Sequence, residues 1–340
     1  MPASGLLRTE SERINMTTLL VAKQILMTLY SKYEVYITPL LKFLLAFISL
    51  LLINSRLGYM NSIDKLTVVL IAALMCSFMP MNFIVVMSAL FTLLHLYAFS
   101  LECVLVVGTG FLLMFLLYLR FSPKDTLVVI LLPICFLMKI PYLIPLAMGL
   151  IGTPASVVSV ACGVIAYYMI HYVTQNASAI MAITADTESA KFSVAKFKSV
   201  IDGLLNNKEM VVIIMAFAVT VIMVYLIRRL SIDYAWTIAM VAGTVVDIMV
   251  LLVGDLMFDT NVALFGVIFG NIVSFLLAVV LQFFVFNVDY SRTEKVQFED
   301  DEYYYYVKAV PKVVVSNPEK KVKQINSQRA KTPQKTRSSH

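Results

Sequence analysis

Charge is scarce in this chain: 14% of its 340 residues are Asp, Glu, Lys or Arg, 60% are hydrophobic, and the mean hydropathy is +0.86. A soluble globular domain carries about 25% charged residues, so a soluble enzyme is excluded. Twelve Gly and eleven Pro are too few for a collagen-like or low-complexity chain. Four cysteines, Cys76, Cys103, Cys135 and Cys162, each sit inside an apolar stretch and form no CxxC pair. That pattern argues against a disulfide framework and for small packing residues in helices. His95 and His171 lack Cys, Asp or Glu at ligand spacing, so no metal site is expected, and hydrogen bonding between helices is their simplest role. The chain also lacks GxxxxGK[ST], GxSxG and HExxH, and no polar segment is large enough to fold as a catalytic domain. No enzymatic activity and no cofactor are expected, and any ATP-driven step would need another chain.

What the sequence does have is long apolar blocks, the mark of an all-α, polytopic transmembrane helix bundle. Residues 1–15 are polar, contain no cleavable leader and read as disordered. Over 16–34, Leu19, Ala22, Leu26, Leu29, Tyr30 and Tyr33 share one helical stripe, which predicts an interfacial amphipathic helix. A transmembrane domain over 35–288 follows. Its first span, 35–54, is apolar apart from Lys42, and segments 66–79, 83–99 and 103–119 come next, the first of them short. Residues 126–138 and 141–152 carry Pro133, Pro141 and Pro145, and each falls below the ~20 residues of a straight span. They predict two short or broken helices, either as separate spans or as a re-entrant hairpin. An apolar run to Val173, a polar loop at 174–208 with a surface helix on Val194, Phe197, Ile201 and Leu204, and spans 210–227, 234–254 and 262–287 complete eight to ten segments.

The tail, 289–340, holds most of the net charge of +6: from residue 290 onward, eleven Lys or Arg face six Asp or Glu. Basic flanks stay cytoplasmic, so both termini are expected inside, with the 174–208 loop outside. Arg56 and Lys65 then fall outside, against the trend. Contact of the basic tail with anionic headgroups fits better than nucleic-acid binding, and no nucleic-acid partner is expected.

Asp247 is the sharpest functional candidate, because a carboxylate mid-span costs roughly 2.5–3.5 kcal/mol on insertion. Ion or proton coupling, substrate contact, or an ordinary interhelical bond would each account for it. Lys42 and Lys139 are candidate partners in a substrate or ion path, Lys139 as a cationic tip between broken helices, and Lys42 as a residue that snorkels near a helix end. Asn271 joins the same path, or acts with Ser274 and Gln282 as interhelical glue. Gly266 and Gly270 form a GxxxG, and Gly152 and Gly163 are further small residues for close packing. In the tail, Tyr303, Tyr304, Tyr305 and Tyr306 open a β-prone stretch to Val315 suited to docking a partner, whereas Ser316–His340 reads as disordered.

The tail YSRTEKVQFEDDEYYYYVKAVPK, with FSPKDT at 121–126 and KIPYLIP at 139–145, resembles an uncharacterised family of multi-pass membrane proteins of Gram-positive anaerobic bacteria. Some of its members carry a transporter permease label. The resemblance covers roughly residues 16–315 and implies a bacterial plasma-membrane location, but it transfers no site residue. The function expected is a transporter or transporter permease subunit of unknown substrate, working in the lipid bilayer with a cytoplasmic ATPase subunit in the permease version. The alternative is a non-transporting scaffold for cell-envelope assembly that recruits envelope proteins through its tail.

Overall fold

Backbone N–H and C=O groups in hydrocarbon have no water to bond, so long apolar runs close their hydrogen bonds internally as helices. The computed structural model describes residues 3–182, 194–260, 263–285, 294–300 and 302–309. The chain divides into two units, Met1–Leu26 with Val313–His340, and Met27–Lys312. Of the first, helical residues 3–26 are described, including 3–15, where the sequence suggested no ordered element.

Helix α1 (Ala3–Leu57) breaks at Tyr33 (φ −114°, ψ 19°), next to the point where the amphipathic segment was expected to give way to the first span. Then come α2 (Leu66–Phe78), α3 (Met81–Phe99), α4 (Leu101–Phe121), α5 (Thr126–Leu137), α6 (Leu143–Ile151), α7 (Ser156–Gln175) and α8 (Ala177–Ala182). After these follow α9 (Val194–Leu205), α10 (Lys208–Arg228), α11 (Ala235–Phe258) and α12 (Leu264–Val285). Seven stretches among the described residues are long and apolar enough to cross a membrane. The apolar run Val194–Arg228 is one of them, but it is divided at Asn206–Asn207, so α10 carries the spanning length. Helices α2, α5 and α6, of 13, 12 and 9 residues, are the short ones. This is the polytopic all-α bundle expected.

Helices α5 and α7 lie between two groups. On one side α3 packs on α5 and α4 on α7; on the other α10 packs on α7, and α10, α11 and α12 all pack on α6. A large apolar core joins Leu132, Val164, Phe217 and Val221 across α5, α7 and α10. Glycines set the close approaches: Gly163 meets Leu132, while Gly243 and Gly254, three turns apart on one face of α11, meet Val224 and Val212 of α10. Of the GxxxG pair only Gly270 is used, against Tyr142 and the Lys139 carbonyl; Gly266 is exposed and meets only Ala263 of its own chain neighbourhood.

The α5–α6 pair resolves one open reading. At its start, Thr126 bonds Asn82 and Tyr118, and Ser122 meets Ser159 at 2.5 Å, all at the ends of α3, α4 and α7. At its finish, the Arg228 guanidinium, at the end of α10, donates to the carbonyls of Leu150 and Gly152. Both ends of the pair therefore lie at one end of the bundle. Helices of 12 and 9 residues reach only about 18 and 14 Å, so the pair turns back inside the protein. It is a re-entrant hairpin, tolerated because it packs against protein on both sides.

The 174–208 segment departs from the expected surface loop. Residues 183–193 lie outside the described residues, but α9 packs against α4 and α7. Its buried face is Lys196, Val200 and Leu204, a different face from the Val194–Phe197–Ile201–Leu204 stripe. The reason is an ion pair: Lys196 Nζ lies 3.9 Å from Glu102, both side chains almost fully buried. The lysine stem packs like an apolar residue once its ammonium has a partner.

Strands β1 (Glu294–Glu299) and β2 (Tyr304–Ala309) form an antiparallel hairpin, with Phe298 opposite Tyr305 and Val296 opposite Val307. β2 falls within the β-prone stretch that opens at Tyr303, whereas β1 precedes it and was not expected; residues 310–340, including the basic end expected to be disordered, lie outside the described residues.

Candidate functional site

Asp247 is 1% exposed and stands near the middle of the 24-residue α11. Two neighbours hold its carboxylate: Thr220 Oγ1 of α10 donates to Oδ1 at 3.2 Å, and Asn271 Nδ2 of α12 donates to Oδ2 at 3.1 Å. The first is long for an O–H···O bond, whose usual range is about 2.5–3.0 Å. No ion pair among the described residues involves Asp247. Close by on α12, the fully buried Asn271 Oδ1 and Ser274 Oγ have no hydrogen-bond partner. A buried oxygen left unsatisfied costs about 1–3 kcal/mol, so one on the amide that holds Asp247 and another a turn along α12 mark a place where something else can supply the missing bonds.

The hairpin forms one wall of this region. Tyr142, at its turn, packs edge-on against Phe217 at 6.0 Å and against Gly270, which precedes Asn271. The turn itself is made by Lys139 at φ 62°, with Ile140 N–H bonding Cys135 O at 2.9 Å and Lys139 N–H bonding Phe136 O at 3.1 Å. That pair of bonds is the Schellman closure of α5, and it puts a lysine where glycine is usual.

The expected path residues are thus only partly brought together. Asn271 touches Asp247. Lys139 sits exposed at the hairpin turn, where its backbone rather than its ammonium makes the contact with α12. Lys42 donates to the Met79 carbonyl at 3.2 Å, closing the end of α2, so it serves as a helix cap and not as a partner of Asp247. Sequence reasoning missed Thr220, because one threonine in an apolar helix carries no signal until the helix facing it is known.

The oxygens of Asp247, Thr220, Asn271 and Ser274 suit a proton or a small hard cation and not a transition metal, which prefers imidazole or thiolate. Among the described residues, no three His, Cys, Asp or Glu side chains converge.

His95 is structural, and both histidines are peripheral to this site. Met60 N–H donates to His95 Nδ1 at 3.2 Å, which leaves the proton on Nε2, bonded to Asn54 Oδ1 at 2.9 Å; Asn54 in turn donates to Ile63 O at 2.8 Å. This chain ties α3 to the α1–α2 connection. His171 stacks on Tyr167 at 5.3 Å.

In the tail, Tyr304 and Tyr306 are 64% and 77% exposed, and Asp300 closes the hairpin turn. Its carboxylate accepts from Tyr305 OH at 2.8 Å and from the Glu302 and Tyr303 amides at 3.0 and 2.7 Å. These bonds, the Tyr305 hydroxyl foremost, hold the Asp300 carboxyl below its ordinary range.

Comparisons with known protein families, curated proteins and solved structures return no match for this chain.

Proposed function

We propose that this multi-pass membrane protein is an ion-coupled transporter, or the permease subunit of one, in a bacterial plasma membrane with both termini cytoplasmic. One observation carries the reading: a buried mid-span carboxylate with no cationic partner among the described residues, beside two unsatisfied buried oxygens. A purely structural aspartate is closed off by its neighbours; the unmet hydrogen-bonding capacity on α12 beside this one suits a proton or a monovalent cation. The re-entrant hairpin beside it supports the same reading, since broken or re-entrant helices at mid-membrane are a device by which carriers build and gate a site.

The single tryptophan, Trp236, lies on the same helix as Asp247 and serves as a reporter. The purified full-length protein is titrated with Na⁺ at constant ionic strength, with K⁺ as the replacement ion, across a pH series. A saturable Trp236 fluorescence change with Na⁺ or with pH, absent in Asp247→Asn, is the expected result. If Asp247→Asn responds like the parent to both, and cells carrying it keep every uptake and growth phenotype, the transporter reading fails.

A second reading has its own observation. The β1–β2 hairpin exposes an aromatic strand, and an exposed strand edge is a template for strand addition by a partner. In a scaffold working through this tail, deleting 298–315 abolishes function and removes copurifying envelope proteins, while Asp247→Asn is silent. A copurifying ATPase would instead identify the permease version.

A further inference from the structure

A cavity of about 460 Å³ lies between α1, α3, α4, α5 and α7, away from Asp247. Its walls are apolar, with Leu52, Leu90, Phe111, Phe115 and Ile134 among them. Wall polar groups are already satisfied: Ser49 and Ser88 bond each other at 3.0 Å, Thr92 donates to the Ser88 carbonyl at 2.9 Å, and Tyr118 donates to Asn82 at 2.6 Å. Free polar capacity is gathered at one end, where Arg56 closes α1 and His171 lies in the last turns of α7. Arg56 makes no salt bridge among the described residues, and the His171 ring stacks on Tyr167 and meets Tyr168 edge-on. No carboxylate lines the cavity. Glu209, a carboxylate at the start of α10, is engaged by the Tyr168 hydroxyl at 2.9 Å.

The length also matters. From Cys162 to Thr174 the cavity follows α7 for twelve residues, about 18 Å. One leaflet of a bilayer's hydrocarbon is about 15 Å deep. An oily chamber one leaflet long, inside the size range of small-molecule sites and with a guanidinium and an imidazole at one end, is complementary to one class of molecule.

We infer that this cavity binds an amphiphile with an anionic headgroup, its hydrocarbon lying along α4 and α7 and its carboxylate or phosphate held by Arg56 and His171. The assignment stands on the cavity alone, and it holds whether or not the protein moves its ligand. Helix α5 is shared between the two regions: its Ile134 and Leu137 line this cavity, while its hairpin partner α6 packs on α10–α12.

The test uses the full-length protein in a non-ionic detergent and a fluorescent fatty acid, compared with its uncharged methyl ester. A charge-assisted bond at the cavity's polar end predicts that the acid binds about tenfold tighter or more than the ester. Arg56→Gln with His171→Gln is expected to bring the two within about twofold without weakening the ester. Arg56 is exposed and His171 only stacked, so this variant keeps the fold. Ala166→Phe, which fills the chamber, is expected to abolish binding of both probes, and Gly108→Phe serves the same purpose from α4. Competition by palmitate against lysophosphatidic acid then separates a carboxylate from a phosphate head. Equal binding of acid and ester by the parent, an undiminished preference in the double variant, or unimpaired binding in both filled variants overturns the assignment.

Discussion

Lys139 occupies a backbone conformation that its side chain disfavours, and that makes it the best place to separate shape from charge. At φ 62° a residue with a Cβ carries a penalty of roughly 1–2 kcal/mol, which glycine does not. Glycine's greater freedom in the unfolded chain returns about 0.5–1 kcal/mol of that gain. Lys139→Gly should therefore stabilise by about 0.5–1 kcal/mol, or about 2 °C in melting temperature for a chain this large. Lys139→Val, β-branched and poorly tolerated at positive φ, should destabilise by about 1 kcal/mol or more. All four cysteines are buried, so heating with a thiol-reactive fluorogenic dye reports unfolding directly. If the valine variant melts at or above the glycine variant, the hairpin does not turn through this conformation and the re-entrant geometry is wrong. The glycine variant also isolates the ammonium: lost uptake in a protein more stable than the parent would show that the charge at the hairpin tip is used.

Further outcomes follow from the packing. Glu102→Gln removes the carboxylate facing buried Lys196 and should cost about 3 kcal/mol, raising hydrogen exchange in α9, whereas Glu102→Leu with Lys196→Met recovers most of it. Gly270→Leu drives a side chain into Tyr142 and the Lys139 carbonyl and should lower stability by about 1–3 kcal/mol, while exposed Gly266→Ala should be neutral or slightly stabilising by the same melting assay. Arg228→Lys cannot reproduce the two-pronged clamp on Leu150 and Gly152, so the end of α6 should loosen and exchange faster. In the tail, the ionised Asp300 is the form that accepts its three hydrogen bonds, so its contribution is present above the ordinary carboxylate range and fades as pH falls through its lowered value. Amide exchange at Glu302 and Tyr303 in the full-length protein, corrected for intrinsic rates, should accelerate on acidification, and Asp300→Ala should remove that pH dependence.

The spans were legible because hydrocarbon demands length and little else: blocks of about twenty apolar residues with charged ends leave few alternatives to helices. The hairpin was legible as a pair of short helices for the same reason, but its sense of insertion was not. That depends on Arg228 and Thr126 tying both ends to one side of the bundle, and these bonds span 78 and 44 residues of sequence. Pairing was the illegible part. Asp247 stood out by its cost, Asn271 by its amide, and Thr220 not at all, while Lys42 and Lys139 were attractive partners only because sequence carries charge and no distance. Lys196 shows the opposite error, where a lysine expected at a wet surface is buried because Glu102, 94 residues earlier, faces it.

Helix α5 then acquires a significance that none of its residues suggests singly. Apart from Thr126 at its start, its residues are apolar, with no titratable side chain but Cys135. Yet one of its faces lines the cavity with Ile134 and Leu137, and its turn delivers Tyr142 to the α12 glycine that adjoins Asn271. A rigid helix cannot tilt toward one neighbour without withdrawing from the other. Any ligand that fills the cavity and displaces α5 therefore also changes the packing over Asp247, and any ion that repacks the Asp247 site acts back on the cavity with the same coupling free energy. The hairpin touches both regions, its α5 at the cavity wall and its Tyr142 at Gly270.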